Sequence, residues 1–252
     1  MRPDMNRRRL IGGLIAGAAG SGMPSGARAQ PAVDGALRPA AAQPDGVCVL
    51  FPQAVEGPFY FDPDMVRADI TEGSPGLPLR FVLRVIELGA CKPIADARVD
   101  VWHADAGGVY SGYSGQGDDG SVSAKGRTHL RGTQFTDADG TASFTSVYPG
   151  WYPGRTPHIH LKVFLDARTV LTAQAYFPDE TSARVYRSQA AYAARPVADT
   201  TNARDFIFRR STREGGSIVF TMRETSALLE AALVIAVDRK ASSAGWWNWL
   251  RG

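Results

Sequence analysis

Cysteine is scarce in this sequence, which has two in 252 residues, Cys48 and Cys91. Neither has the C-x-x-C spacing of a zinc or redox motif, which excludes sites built on clustered thiolates. In an oxidising compartment two lone cysteines most simply form one disulfide, here between the start of the mature chain and an early strand. The alternative is two buried free thiols, because sequence alone does not show that two cysteines are close in space.

An excess of charge is also missing. The 28 basic and 25 acidic residues leave a formal net charge of +3, and the basic residues are scattered along the chain. Nucleic-acid binders carry a concentrated basic patch or stripe, so nucleic acid is not an expected partner. A small neutral or anionic molecule fits this composition better.

The apolar run near the N-terminus, LIGGLIAGAAG, is too short and too rich in glycine to span a bilayer, which needs about 20 apolar residues. It follows the arginines at 7–9 and precedes a small-residue site at 27–29, the order found in a cleaved export signal. The run NRRRLI resembles a twin-arginine (Tat) signal, with Asn6 where Ser or Thr is usual. We therefore predict that the Tat machinery exports the protein to the periplasm or beyond and that residues 1–29 are removed near Ala29.

Sustained helical periodicity is almost absent. From Leu79 onward, short segments rich in Val, Ile, Phe and Thr often alternate with polar residues and are separated by Gly, Pro, Asp and Asn. This pattern predicts an all-β, antiparallel β-sandwich with long active-site loops and few short helices over residues 48–240. The predicted strands are LRFVLRVIEL, ARVDVWHA, TASFTSV, HIHLKVFL, VLTAQAYF, SIVFTM and ALVIAV.

Three segments stand outside this strand pattern. Residues 30–47 are rich in Pro, Ala and Gly and are predicted to be a flexible lead-in. Residues 182–194, SARVYRSQAAYAA, are the best helix candidate. Residues 241–252 form a Trp-rich tail that could anchor at a membrane interface but is better interpreted as docking on its own domain or on a neighbouring subunit. Whether the protein forms a homo-oligomer is therefore left open by the sequence.

The stretch YPGWYPGRTPHIH, residues 148–160, holds two of the four histidines, two of the eight tyrosines and an arginine. Side chains two positions apart on a strand point to the same face, so His158 and His160 could chelate one metal ion. A bare H-x-H is equally compatible with two histidines on a solvated strand face. Other residues must decide between these interpretations.

Tyrosines on two loops supply further candidate ligands. Pro-Gly turn signals place Trp151 and Tyr152 on a tight loop at the end of the histidine strand. A second loop, after ARVDVWHA, carries Tyr110 and Tyr113. Tyr110 and Tyr152 with the two histidines would make a site of two oxygen and two nitrogen donors. Phenolate is a hard anionic donor, so such a site favours iron(III) over zinc or iron(II).

With these residues in view, the sequence resembles the intradiol ring-cleavage dioxygenases, the family of protocatechuate 3,4-dioxygenase and catechol 1,2-dioxygenase. The matching blocks cover most of residues 48–180 and occur in the family's order. They are EGPFY at 56–60, PIADARVDVWHADAGGVY at 93–110, RGTQFTDADGTASFTSVYPGWYPGR at 131–155, TPHIHLKVF at 156–164 and TAQAYF at 172–177. The resemblance implies a β-sandwich that carries mononuclear non-haem iron(III).

Carried over position by position, the resemblance implies iron ligands at Tyr110, Tyr152, His158 and His160. Tyr113 has no counterpart in the family's pattern. Arg155 resembles the arginine that stabilises negative charge on the substrate ring, and Gln174 falls where the family has a pocket glutamine. Arg155 and Tyr152 are accordingly expected to act in catalysis. Arg155, Gln174 and Trp151 are expected to contact the substrate.

The implied reaction joins a catechol-type diol to O2 and opens the ring between the two hydroxyl-bearing carbons, giving a cis,cis-muconate-type diacid. Tyr152 and Arg155 are three positions apart, a shorter spacing than in the cytoplasmic catechol and protocatechuate enzymes, so the identity of the diol stays open. A second hypothesis is a catalytically silent, transthyretin-like binding module. A third, a zinc hydrolase, is disfavoured by the tyrosines and by the lack of a placed carboxylate base.

Overall fold

The computed structural model describes residue 37 and residues 48–62, 64–215 and 217–242. The predicted export signal, nearly all of the lead-in and the tail from residue 243 lie outside the described residues. Eight strands are seen within this described part, together with two short α-helices and one 3₁₀ turn. The strands are β1 (Pro78–Glu87), β2 (Arg98–Trp102), β3 (Arg131–Phe135), β4 (Thr141–Val147), β5 (His158–Leu165), β6 (Arg168–Tyr176), β7 (Thr221–Glu224) and β8 (Leu229–Val237).

The strands form two four-stranded sheets, ordered β4-β1-β8-β7 and β3-β2-β5-β6. This confirms the predicted sandwich, although its sheets are not purely antiparallel, because β1 and β8 are parallel, from Leu79↔Leu229 to Glu87↔Val237. Parallel neighbours need a long crossover connection. The whole second sheet lies between β1 and β8 in sequence and supplies that connection, which a local strand pattern does not reveal.

The helices are shorter than the sequence pattern predicts. Helix α1 spans Asp179–Ser188 and is followed by a 3₁₀ turn at Ala190–Tyr192, where one helix was expected over 182–194. Helix α2 spans Phe206–Ser211 and was not predicted. Strand β3 was also missing from the strands predicted by periodicity, because its buried residues include an arginine, a glycine and a threonine.

The main core lies between the two sheets. On β5 the alternate residues Ile159, Leu161 and Val163 are fully buried in this core, and Phe81 stacks on Phe144 across β1 and β4 at 5.1 Å between ring centres. Each fully buried aliphatic or aromatic side chain contributes about 1.5–3 kcal/mol through removal from water. Since alternate residues of β5 fill this core, the residues between them lie on the opposite face of the strand, which can carry polar groups.

Cys48 and Cys91 are joined by a disulfide, with Cα atoms 5.6 Å apart, as the first of the two sequence interpretations requires. The bond ties the segment before β1 to the connection between β1 and β2. Among the residues that the structure describes, no helix combines the length and the apolar character needed to cross a membrane.

Candidate active site

The candidate site is built on the outer face of the second sheet. Because successive side chains of β5 point to opposite faces of the sheet, His158 and His160 point away from the sandwich core, on the opposite face from Ile159. Strand pairing places His160 beside Trp102 on β2 and Gln174 on β6. His158 and His160 are nevertheless 2% and 3% exposed, so other segments cover them.

One covering segment carries Tyr110. The Asp105 carboxylate accepts hydrogen bonds from the backbone N–H groups of Gly107 (2.8 Å) and Val109 (3.0 Å), which closes a tight turn after β2. Tyr110 follows this turn and is 1% exposed. Its ring stacks on Phe59 with 4.7 Å between ring centres, so the EGPFY segment holds the tyrosine over the sheet.

The second covering segment carries Tyr152 and is bonded to the first. The Gly150 N–H donates to the Asp105 carbonyl oxygen at 2.9 Å. Gly108 packs so closely on this loop that a Cβ there would overlap the Trp151 carbonyl oxygen. The two tyrosine loops are thus one packed unit, which brings the Tyr110 and Tyr152 rings to 5.7 Å between centres.

Four donor atoms meet at the end of β5. The His158 Nε2 atom lies 3.4 Å from the Tyr110 phenol oxygen, 3.2 Å from the Tyr152 phenol oxygen and 3.1 Å from His160 Nε2. These separations are those expected of donors that each lie about 2.1 Å from one shared ion. The structure therefore brings together all four of the residues to which the sequence assigned metal binding.

The contacts of His158 leave a nitrogen lone pair at this meeting point. His158 Nδ1 lies 2.7 Å from the Thr156 carbonyl oxygen and must donate to it, so Nε2 carries the lone pair. The His160 ring stacks on Trp102 at 4.7 Å, and its buried Nδ1 has no hydrogen-bond partner among the described residues. A buried polar atom without a partner costs stability, which favours a functional reason for the ring's placement.

Burial keeps the four groups uncharged in the absence of a cation. It lowers the pKa of His158 and of His160 well below the ordinary value, and the positive charge of Arg155 adds to the effect. Burial likewise raises the pKa of Tyr110 and of Tyr152 above the ordinary value. A bound multivalent cation would displace the phenolic protons and gain two anionic oxygens.

The donor set fits a hard cation. Within the described residues, no group of three or more His, Cys, Asp or Glu side chains is arranged to hold a metal ion. The oxygen donors that lie beside the two histidines are the phenol oxygens of Tyr110 and Tyr152. A set of two phenolates and two imidazoles fits iron(III) and differs from the usual ligand sets of zinc.

Arg155 lies beside this cluster in a network of hydrogen bonds. Its NH1 group donates to the Tyr152 phenol oxygen at 3.2 Å, and its NH2 group donates to Gln174 Oε1. Its Nε donates to the buried carboxylate of Asp205 at 2.8 Å. Burial acts to lower the pKa of Arg155, but Tyr152, Tyr176 and Asp205 outweigh it and hold the pKa above the ordinary value. The guanidinium is a fixed positive charge.

A cleft of about 130 Å³ opens onto the two tyrosines. This volume is slightly below that of a cavity of about 150 Å³ that binds benzene, so the cleft is close to the size of one aromatic ring. Its lining residues are Phe59, Gly108, Tyr110, Gly115, Gln116, Gly117, Asp118, Tyr152, Pro153 and Arg195.

Trp151 is not among the residues that line this cleft. Its ring lies 3.9 Å from the Arg195 guanidinium carbon, and its indole N–H donates to the Arg195 carbonyl oxygen. Trp151 thus supports a cleft residue from behind, and its predicted contact with substrate stays a prediction. Tyr113 is half-buried and donates to the Tyr60 carbonyl oxygen at 2.8 Å.

Sequence reasoning missed two buried residues around the site. Asp205, 50 positions from Arg155, is fully buried against it. Arg131, at the start of β3, donates to the hydroxyl and the carbonyl oxygen of Ser111, the neighbour of Tyr110, and burial lowers its pKa to about 10. Both residues lie far along the chain from the residues they contact, so no local spacing signals them.

The site thus combines two buried histidines, the buried Tyr110 and the half-buried Tyr152 at the outer face of one sheet of a β-sandwich. A family model described as Dioxygenase matches residues 55–206, more than half of the chain. An intradiol ring-cleavage dioxygenase from Tetranychus urticae is 31% identical, with a TM-score of 0.70 over 79% of this chain and 100% of that one. The chain belongs to the intradiol ring-cleavage dioxygenase family, whose members generally use non-haem iron(III).

Two curated relatives match over shorter spans. The protocatechuate 3,4-dioxygenase beta chain of Burkholderia cepacia is 34% identical over 132 residues, which is 47% of this chain and 53% of that protein. Catechol 1,2-dioxygenase 1 of Acinetobacter lwoffii is 29% identical over 159 residues, 54% of this chain and 49% of that protein. The chain thus spans about half the length of the curated relatives it matches.

Proposed function

We propose that this protein binds one iron(III) ion and uses O2 to cleave catechol-type diols between their two hydroxyl-bearing carbons. The observation that carries the proposal is the convergence of two phenol oxygens and two imidazole nitrogens on one buried point beside Arg155. The assigned ligands are Tyr110, Tyr152, His158 and His160. Bound iron(III) would supply a Lewis-acidic centre that chelates the diol and withdraws electron density from its ring.

The protein's own groups have separate tasks in this reaction. Tyr152 would accept a proton from the incoming diol, because burial raises its pKa above the ordinary value and makes a phenolate there a strong base. The Arg155 guanidinium then stabilises negative charge that develops on the substrate. Gln174 keeps the guanidinium in place and donates from Nε2 to the Val55 carbonyl oxygen at 3.1 Å.

The proposed reaction balances without an added reductant. The bond between the two hydroxyl-bearing carbons breaks, and each of these carbons gains one oxygen atom from O2. The diol is oxidised to a cis,cis-muconate-type dicarboxylic acid, and O2 is reduced into the two new carboxyl groups.

The size of the cleft supports a single-ring diol as the substrate. Asp118 and Arg195 line the cleft and form an ion pair at 3.1 Å. A volume of about 130 Å³ leaves little room for a second ring next to the diol. The named activities of the two curated relatives, on protocatechuate and on catechol, fit the same size class.

A titration with iron(III), followed by an oxygen-uptake panel, tests the proposal. Metal-free protein should bind one equivalent of iron(III) and develop a visible absorption band, since phenolate oxygen bound to iron(III) absorbs visible light. The panel is catechol, protocatechuate, hydroxyquinol and chlorinated catechols. A protein that stays colourless, binds zinc and consumes no oxygen would favour the zinc hydrolase, and binding of a catechol without oxygen uptake would favour the silent module.

We further propose that the protein acts outside the cytoplasm after Tat export, on the support of the N-terminal signal pattern and of a disulfide suited to an oxidising compartment. Replacement of Arg7 and Arg8 by lysine should leave the precursor in the cytoplasm. Cell fractionation checks this, and unchanged export of the double variant would contradict the Tat route. The oligomeric state stays open, and the docking of the Trp-rich tail stays a prediction.

A further inference from the structure

Asp205 is a fully buried carboxylate whose two oxygens accept four N–H hydrogen bonds. Oδ1 accepts from the backbone N–H groups of Ile207 (2.8 Å) and Phe208 (3.0 Å), which caps helix α2. Oδ2 accepts from Arg155 Nε (2.8 Å) and from the Thr156 backbone N–H (3.1 Å). One oxygen therefore serves the helix and the other serves the candidate active site.

The hydrogen bond from the Thr156 N–H connects Asp205 to a residue that contacts His158, a proposed iron ligand. The carbonyl oxygen of Thr156 accepts the Nδ1–H of His158 and thereby fixes the lone pair of that ring on Nε2. The bond to Arg155 fixes the guanidinium that donates to the Tyr152 phenol oxygen. A single carboxylate thus holds the Arg155 guanidinium directly and bonds the backbone of the residue whose carbonyl oxygen accepts from His158.

Neighbouring contacts of the same segment reinforce the arrangement. Asp199 accepts from the Gly154 N–H at 3.1 Å, and Asn202 Oδ1 accepts from the Thr156 hydroxyl at 2.9 Å. Residues 199, 202 and 205 therefore hold the three consecutive residues 154–156. Asp205 is the innermost of these three contacts, and it is the one that carries a buried charge opposite Arg155.

We propose that Asp205 is a positioning residue for the site, which acts on the reaction through Arg155 and on metal binding through His158. The proposal rests on the proposed function for its effect on catalysis. The plain alternative is that Asp205 serves only as the cap of α2. The exchange Asp205→Asn separates the two, because an asparagine oxygen still caps the helix, while its NH₂ group cannot accept from Arg155 or Thr156.

Nuclear magnetic resonance of the metal-free protein tests the positioning directly. The Arg155 Nε–H signal, assigned by its loss in Arg155→Met, should exchange with water at least about tenfold faster in Asp205→Asn, because its charged acceptor is gone. The His158 Nδ1–H tautomer should also lose population. The control is Asp199→Asn, at an exposed residue of the same segment, which should leave both signals as in the wild type because an asparagine oxygen still accepts from the Gly154 N–H.

A double-mutant cycle tests the route of action on catalysis. Asp205→Asn should lower kcat by about tenfold or more in the wild-type background, as expected for loss of a charge-assisted hydrogen bond. In the Arg155→Met background the same exchange should change kcat by less than about twofold, since the group it acts through is absent. A purely structural role predicts equal losses in both backgrounds.

The outcomes distinguish this inference from the proposed function. Wild-type signals for Arg155 and His158 in Asp205→Asn, or equal kcat losses in both backgrounds, would overturn the positioning role. A wild-type protein that cleaves no diol would overturn the proposed function, and the metal-free resonance data would still decide whether Asp205 positions these groups.

Discussion

Tyr110 and Tyr113 lie three positions apart on one loop, yet they differ in burial and in contacts. Tyr110 is 1% exposed and its oxygen faces His158, whereas Tyr113 is half-buried and bonds to the Tyr60 carbonyl oxygen. Both rings pack against Phe59, with centres 4.7 and 5.3 Å away. The two tyrosines are therefore a matched pair for separating metal binding from packing.

We expect Tyr110→Phe to lower the iron(III) affinity at least about tenfold, because it removes an anionic oxygen ligand from the set. Tyr113→Phe should leave the affinity within about twofold of the wild type. Competition with a chelator, read at the visible band, measures both. Equal affinities for the two variants would remove Tyr110 from the ligand set.

Residue spacing predicted part of the site, but the residues that join it through long-range contacts were not predictable in this way. His158 and His160 could be paired from strand alternation, but the choice of Tyr110 over Tyr113 rested on family resemblance. Asp205 was not found, because it meets Arg155 from 50 positions away along the chain. Such a contact depends on how the segment after α1 folds back over the sheet.

At the scale of structural elements, the two tyrosine loops depend on one close approach. Gly108 has φ +82° and lies against the Trp151 carbonyl, while Gly154 has φ +78° and has nothing within 4 Å of the place where a Cβ atom would lie. An alanine would therefore introduce about the same backbone strain at either glycine. Of the two, only Gly108 would also produce a steric overlap when replaced by alanine.

Gly154→Ala should cost about 1 kcal/mol of unfolding free energy through the positive φ. Gly108→Ala should cost about 1–3 kcal/mol more, because the added methyl group pushes the Tyr110 and Tyr152 loops apart. It should also weaken iron(III) binding, which Gly154→Ala should not do. Denaturant titration and metal competition measure these effects, and indistinguishable variants would show that the loops adjust independently.

Local periodicity predicted most of the strands but not all of the elements. Strand β3 (Arg131–Phe135) escaped the pattern because Arg131 and Thr133 are buried polar residues on the face that carries the site. Helix α2 has six residues, too few for a periodic signal, and depends on its cap at Asp205. The parallel pairing of β1 with β8 is a long-range property that alternation within a strand does not encode.

At the scale of the whole molecule, buried neutral histidines make stability depend on pH. His103 is 1% exposed and bonds to the Ala104 carbonyl oxygen and to the Ser146 hydroxyl. Burial lowers the pKa of His103 to about 4, below the value of about 6.5 expected in the unfolded chain. The unfolded chain therefore binds the extra proton in this window, and folding loses stability as pH falls from 6.5 towards 4.

For the metal-free protein we expect His103 to account for a loss of about 3 kcal/mol of unfolding free energy between pH 6.5 and 4. His103→Gln should flatten this part of the pH profile. His129→Gln, at a half-buried histidine, should flatten it less. Denaturant titrations at several pH values give the slopes, and an unchanged slope in His103→Gln would mean that the His103 pKa is the same in the folded and the unfolded chain.

The sandwich as a whole provides a rigid platform whose outer face, rather than its core, carries the site. Alternation along β5 puts apolar residues into the core and both histidines on that outer face, where the loops that carry Tyr110 and Tyr152 cover them. The family membership, the His₂Tyr₂ cluster and the size of the cleft support the proposed reaction, the insertion of both atoms of O2 into a catechol-type diol.

Mass spectrometry of the product formed under isotopically labelled dioxygen tests that reaction most directly. The iron(III)-loaded protein should convert catechol, or the best diol of the panel, into a cis,cis-muconate-type diacid with one labelled oxygen in each carboxyl group. A product cleaved beside rather than between the hydroxyl-bearing carbons, a quinone without labelled oxygen, or recovery of the intact diol would contradict intradiol cleavage by this protein.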